Sequence, residues 1–212
     1  MRHRPPTLEG IVLAQTRNAV TVISSIIAIV AVLLAYVLIN PQLFRPPGPG
    51  VGIGTGQIAP SFTAPDVNGT AWNLSLHRGQ VVLIDFMGAR CTTCGIEMSA
   101  GGLQTLYARY ASRGFTILSV DVALAFPSLG ARTPEEAWRF VHGLNPDNST
   151  RWPAGSWSVV FDAQGIAGTY AITALPMKYL LDGSGKIVWK HLGYSSSQDT
   201  DALEAQITAV LP

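Results

Sequence analysis

The stretch VVLIDFMGARCTTCGIE, residues 81–97, constrains the fold more than any other part of the chain. Residues 81–87 are an apolar, β-branched run suited to a strand covered on both faces. A small turn follows. Two cysteines then stand three apart, with a glutamate three further on. From residue 93 to about 113 apolar side chains recur near helical spacing at Met98, Leu103, Leu106 and Tyr110, and Gly114 ends the run. The thiols therefore sit at the joint between a strand and a helix, with Cys91 at the N-cap and Cys94 one turn in.

The flanking sequence continues the alternation. FTILSV at 115–120 is the next apolar strand. TPEEAWRFVHGL at 133–144 opens on Thr133 as N-cap, Pro134 and Glu136, a capping-box signature. Residues 159–161 read as a short strand and 164–170 as a short helix. Residues 177–181 and 186–191 flank Asp182-Gly183-Ser184-Gly185, a hairpin turn. A helix at 199–210 closes the chain. This pattern predicts an α/β fold, a mixed central sheet flanked by helices, over residues 58–212.

Ahead of this domain, residues 19–39, AVTVISSIIAIVAVLLAYVLI, carry no charge. A helix of that length rises roughly 30 Å, enough to cross a bilayer's hydrocarbon core. It is also longer than a signal-peptide core of roughly 7–15 residues, and no A-x-A site follows it. Arg2, Arg4 and Arg17 precede it against one acid, Glu9, so residues 1–18 are expected in the cytoplasm and everything after 40 outside. Residues 40–57, NPQLFRPPGPGVGIGTGQ, read as a Pro/Gly-rich tether. GVGIGTG is no dinucleotide loop, because a Pro-rich linker precedes it and Ile58-Ala59-Pro60 follows. The net charge of +1 argues against a nucleic-acid partner.

The chain has two cysteines in 212 residues. A disulfide across a two-residue gap constrains almost nothing, so a purely structural role is a poor fit. A structural zinc site needs four ligands, and the four histidines, His3, His77, His142 and His191, are scattered singly. Redox exchange suits the setting. Cys91, at a helix N-terminus where free N–H groups favour a thiolate, can attack a partner disulfide, and Cys94 can resolve the mixed disulfide.

LIDFMGARCTTCGIEM resembles the thioredoxin superfamily, specifically the membrane-anchored, extracytoplasmic thiol–disulfide oxidoreductases of the TlpA/ResA/DsbE type. IAPSFTAPDVNGTAWNLSLHRGQVVLIDF before it, and Gly165–Tyr170, Leu175-Pro176 and KYLLDGSGKIVWKHLGY after it, resemble that group's landmarks in the same order. The resemblance implies a thioredoxin-like fold, with Cys91 as nucleophile and Cys94 as resolving thiol. It implies a cis Pro176 that faces the thiols and presents the backbone of Leu175 to an extended substrate. Glu97 matches an active-site glutamate of the group, one turn beyond Cys94, where a partly buried carboxylate can take or return the Cys94 proton. It also fits a solvated residue on an amphipathic helix. Asp85 matches the buried acid of thioredoxin itself. An acid in a central strand is either protonated, functional or satisfied by a neighbouring group.

The chain departs from the group at Arg90, where tryptophan is usual. A cation beside Cys91 favours its thiolate and discriminates among substrates. It departs again at Met177 and Lys178, where threonine is usual. The implied partners are client proteins with disulfides or thiols, such as apocytochrome c or copper-site proteins, a membrane electron donor of the CcdA/DsbD kind, and lipid around 19–39. No cofactor or metal is implied. Two other readings stay open. A peroxiredoxin-type thiol peroxidase uses a proline-containing pocket, and residues 87–94 contain no proline. A copper(I) chaperone would use two thiolates with His191, although related chaperones space their cysteines more widely.

Overall fold

The computed structural model of the chain describes residues 26–32, 34–36 and 50–212. Residues 26–32 and 34–36 are helical and exposed. Among the described residues no helix is long and apolar enough to cross a membrane. Residues 1–18, most of the anchor expected at 19–39, and 40–49 of the expected tether lie outside the described residues.

From residue 50 onward the elements are β1 (Thr63–Pro65), β2 (Ala71–Asn73), β3 (Val81–Met87), α1 (Thr92–Ala100), α2 (Gly102–Tyr110), β4 (Phe115–Asp121), α3 (Pro134–Val141), β5 (Ser158–Phe161), α4 (Ile166–Thr169), β6 (Met177–Leu181), β7 (Ile187–Leu192) and α5 (Ser197–Val210). β1 and β2 pair as a small separate hairpin; the other five strands form one sheet in the order β5-β4-β3-β6-β7. β3, β4 and β5 run parallel, and β6 runs antiparallel to both its neighbours. Parallel neighbours need crossovers, which α1 with α2, and α3, provide. β6 and β7 turn directly on residues 182–185, with the Asp182 N–H donating to Lys186 O at 2.9 Å.

β3 is buried along its whole length. Its residues alternate between two cores, as strand geometry requires. Val81, Leu83 and Met87 join the core built by α1, α2, α3 and α5. Val82, Ile84 and Phe86 join the core closed by the β1–β2 hairpin and α4.

Two expectations needed revision. The helix predicted from 93 to about 113 is two helices, broken at Gly101, whose φ of 74° lies in the left-handed region that glycine adopts freely. The step from Met98 to Leu103 is one residue longer than a helical repeat, and the break falls within it. Residues 50–57, expected as part of the tether, are tied by main-chain bonds to the domain. The Gly56 N–H donates to Ile187 O at 2.8 Å, the Ile187 N–H to Gln57 O at 2.8 Å, and Ile58 bridges antiparallel to Lys186. Main-chain bonds to the outer strand hold this segment. A composition of Gly and Pro carries no sign of them.

Candidate active site

Cys91 is the N-cap of α1, and its Sγ accepts from the Cys94 N–H at 3.3 Å. The two cysteines are joined in a disulfide, with Cα atoms 5.3 Å apart. Cys91 is 7% exposed and Cys94 1%, so both are sheltered and the first keeps more access. The unpaired N–H groups of the first turn favour negative charge on Cys91 Sγ once the bond opens.

The turn that presents Cys91 is locked to the loop after β4. A Cβ on Gly88 would come within 2.4 Å of Leu129 O, so only glycine lets the two backbones approach. The Arg90 N–H donates to Leu129 O at 2.9 Å. Asp121, fully buried at the end of β4, accepts from the Ala89 N–H at 2.9 Å and the Ala131 N–H at 2.8 Å. Burial pushes its carboxyl up to about 6, against the pull of those two donors. The sequence reading passed over Asp121; the available signal was an acid ending the apolar run FTILSVD.

Arg90 turns onto the same loop. Its Nε donates to Gly130 O at 2.7 Å and its Nη2 to Pro127 O at 2.9 Å, with Glu136 Oε1 3.7 Å from Nε. Its guanidinium ties down the 127–130 backbone. Beside Cys91 runs a groove of about 490 Å³ lined by Arg90, Thr92, Ile96, Arg151 and Trp152 among others. Ile96 is more than half exposed there, and the Arg151 guanidinium lies 4.0 Å from the Trp152 ring centroid.

Beneath the thiol helix the sheet carries a polar row. The register sets Asp85 of β3 beside Ser119 of β4 on one side and Lys178 of β6 on the other. Asp85 falls between Leu83 and Met87 in the alternation, so it faces the core that holds Cys91 and Cys94. Lys178 Nζ lies 2.7 Å from Glu97 Oε2 and 3.7 Å from Asp85 Oδ1. Ser119 Oγ donates to Asp85 Oδ2 at 3.2 Å and accepts from Trp157 Nε1–H at 2.9 Å. Asp85 Oδ1 has no hydrogen-bond partner among the described residues. Asp85 is 1% exposed, Glu97 6% and Lys178 2%. Glu97 is therefore no solvated surface residue. Its burial pushes the carboxyl up to about 7, with Lys178 pulling the other way. Burial likewise holds the Asp85 carboxyl above its ordinary value, against the pull of Lys178 and Ser119. Lys178, Ser119 and Trp157 were not singled out as site residues. A lysine inside the apolar run MKYLL was the one visible sign.

The Leu175–Pro176 peptide is cis. β6 begins at the next residue, and the register sets Met177 beside Phe86. Leu175 and Pro176 thus lie at the end of the sheet from which the thiol turn departs. Leu175 is half-buried and packs against both cores. His191 stands opposite Lys178 in the register, with Nε2 3.2 Å from Asp199 Oδ1. Among the described residues no group of three or more His, Cys, Asp or Glu side chains is arranged to hold a metal ion.

Known proteins resemble this chain in sequence and fold. The chain is 26% identical over 153 residues to the thiol-disulfide oxidoreductase ResA of Bacillus cereus, covering 72% of this chain and 78% of that one. It is 26% identical over 151 residues to the thioredoxin-like protein YneN of Bacillus subtilis, covering 71% and 79%. The fold superimposes on a crystal structure of a DsbE-type protein from Chlorobium tepidum with a TM-score of 0.61 at 27% identity, covering 76% of this chain and all of that one. The AhpC/TSA family profile matches residues 55–190, and the chain belongs to that family, on a thioredoxin-like α/β fold.

Proposed function

We propose that this thiol–disulfide oxidoreductase reduces disulfides in client proteins, with Cys91 attacking and Cys94 resolving. The observation that carries the reading is the Cys91–Cys94 pair at the start of α1, with the buried carboxylate of Glu97 one turn beyond Cys94. The Cys91 thiolate attacks a client sulfur, and the client disulfide opens. Cys94 then loses its proton to a nearby carboxylate, attacks Cys91 Sγ, and the second client thiolate leaves. The enzyme pair gives up two electrons and the client disulfide takes them. Glu97 and Asp85 serve as proton acceptors, and Leu175 with Pro176 presents main chain to an extended client. Arg90 acts on clients by holding the 127–130 loop that borders them.

In this reading residues 19–39 anchor the chain, and the catalytic domain works outside the membrane. Clients of the apocytochrome c or copper-site kind, and a membrane electron donor of the CcdA/DsbD kind, follow from the resemblance of the motifs. The apolar stretch at 19–39 and its basic flank support the anchoring.

The test is the reduction potential of the Cys91–Cys94 pair in the full chain, equilibrated against defined thiol buffers. A reductant is expected at roughly −270 mV or below. A value near about −120 mV would reverse the direction of flow. A pair that never exchanges with the buffer would end the thiol-exchange reading and favour a copper-binding or peroxidase role.

A further inference from the structure

We propose that Lys178 is a positioning residue for thiol exchange: with Asp85 and Glu97 it forms one buried unit that holds a single exchangeable proton for Cys94. The inference rests on the reading that Cys94 resolves the mixed disulfide. It concerns a residue two beyond Pro176, next to the position, Met177, where the resembling group has threonine.

The geometry is specific. One ammonium lies 2.7 Å from one carboxylate and 3.7 Å from the other, and all three groups are at least nine-tenths buried. Two ionised carboxylates and one ammonium leave a net negative charge out of water, which is costly. One shared proton makes the unit neutral. Without the ammonium, neutrality requires a proton on both carboxylates, and no base is left for Cys94. Lys178 therefore keeps one carboxylate ionised and available at neutral pH. The upward displacement of both carboxyls despite the nearby cation agrees with a proton retained between them.

The surroundings supply no substitute. On β4, Ser119 reaches Asp85 and is backed by Trp157, and both are neutral. Asp121, further along β4, spends its oxygens on Ala89 and Ala131. On β7, His191 pairs with Asp199 at the start of α5, and Asp199 also accepts from Ser195. On α1 the remaining titratable groups are the two thiols. Lys178 is the cation that bridges the carboxylates of β3 and α1.

The step balances. The Cys94 S–H bond breaks and its proton passes to the ionised carboxylate. A Cys94 Sγ–Cys91 Sγ bond forms as the bond from Cys91 to the client sulfur breaks, and that sulfur leaves with the electron pair. A donor dithiol then reduces the Cys91–Cys94 disulfide by the same exchange and leaves as its own disulfide, and the carboxyl returns the proton to Cys94.

The test uses the reduced full chain and a small aromatic disulfide whose thiolate is coloured. A first burst reports attack by Cys91, and a second release reports resolution by Cys94. In the wild type the second rate should rise with pH through neutrality. Lys178→Met should move that midpoint up by about one pH unit or more, slow the second phase about tenfold at neutral pH, and converge on the wild type in alkali. Lys178→Arg should restore the wild-type profile. Lys178→Gln, a neutral side chain that keeps a polar donor one bond shorter, is read in the same way should the methionine variant not fold. A second phase that overlays the wild type at every pH overturns the proposal. So does an equal slowing of both phases at all pH values, the mark of a merely structural role. The probe is not a protein, so a chain inert toward protein disulfides but showing the Lys178-dependent profile would sink the earlier reading and leave this one standing.

Discussion

Asp85 and Phe86 are neighbours in β3 and serve opposite faces of the same sheet. Both are almost fully buried. On the Phe86 face, the rings of Phe86, Tyr170 and Tyr179 meet with centroids 5.2–5.9 Å apart. Each phenol there needs one partner and has it: Tyr170 Oη donates to Pro60 O at 2.7 Å, and Tyr179 Oη donates to Tyr170 O at 2.9 Å. Burial raises the pKa of both hydroxyls, so they stay neutral. On the Asp85 face, two carboxylates share one ammonium, and among the described residues Asp85 Oδ1 has no hydrogen-bond partner. Equal burial thus gives two different materials. A neutral group with its partner in place gives that face no response to protons from acid to neutral pH. A charge with incomplete partners leaves the other face responsive to protons, and the thiols sit on that face.

The largest expected effect breaks the silent face. Phe86→Ala removes a ring that touches two tyrosines and should cost about 3–5 kcal/mol. Urea denaturation of the oxidised chain measures it. The loss should be the same in acid and at neutral pH, because the two phenols that border the ring stay neutral across that range. A loss that varied strongly with pH would erase the distinction between the faces.

Glu97→Gln tests the responsive face. Its carboxyl stands at about 7 in the fold against 4.5 in a free chain, so between those values the native state binds more protons than the unfolded one. The stability linked to this group is complete below pH 4.5 and is lost as pH rises through about 7. The displacement corresponds to about 3 kcal/mol at most. Relative to the wild type, the glutamine variant should therefore gain stability as pH rises across that window. A difference that stays flat with pH would place Glu97 in an ordinary ion pair.

Much of this architecture could be read from local pattern. The strand at 81–87, the thiols at the helix start and the hairpin at 182–185 each declare themselves within a dozen residues, because alternation, capping and turn chemistry are short-range. Asp85 and Glu97 stood out as acids in places where acids are costly. Their partners did not, because register decides them. Lys178 lies 93 positions from Asp85 in the chain and Ser119 lies 34, and only strand pairing sets all three in one row. The break at Gly101 was hidden for a different reason. Apolar residues continue on both sides of it, and periodicity tolerates a one-residue slip. The attachment of residues 50–57 to the domain rests on main-chain bonds, which side-chain composition does not encode.

The smallest effect sharpens the comparison most, because it reaches Asp85 through two neutral groups. Trp157→Phe keeps an aromatic ring near Tyr107, now 5.5 Å away between centroids, and deletes the Nε1–H that donates to Ser119 Oγ together with the pyrrole part of the indole, whose packing loss does not vary with pH. The lost hydrogen bond is worth about 1 kcal/mol. Its second consequence is electrostatic. With Trp157 in place, the Ser119 hydroxyl is oriented to donate to Asp85, which opposes the upward push of burial on that carboxyl. Freed of the tryptophan, the hydroxyl can rotate away, and the Asp85 pKa should rise further. The cost of Trp157→Phe should therefore grow as pH rises, although the substitution adds and removes no charge. Urea denaturation at acid and neutral pH separates the two components. A cost that is equal at both would mean that Ser119 keeps its orientation unaided and that the indole serves packing alone. A cost that grows with pH would show the responsive face extending across β4 to Trp157, four residues before the end of β5.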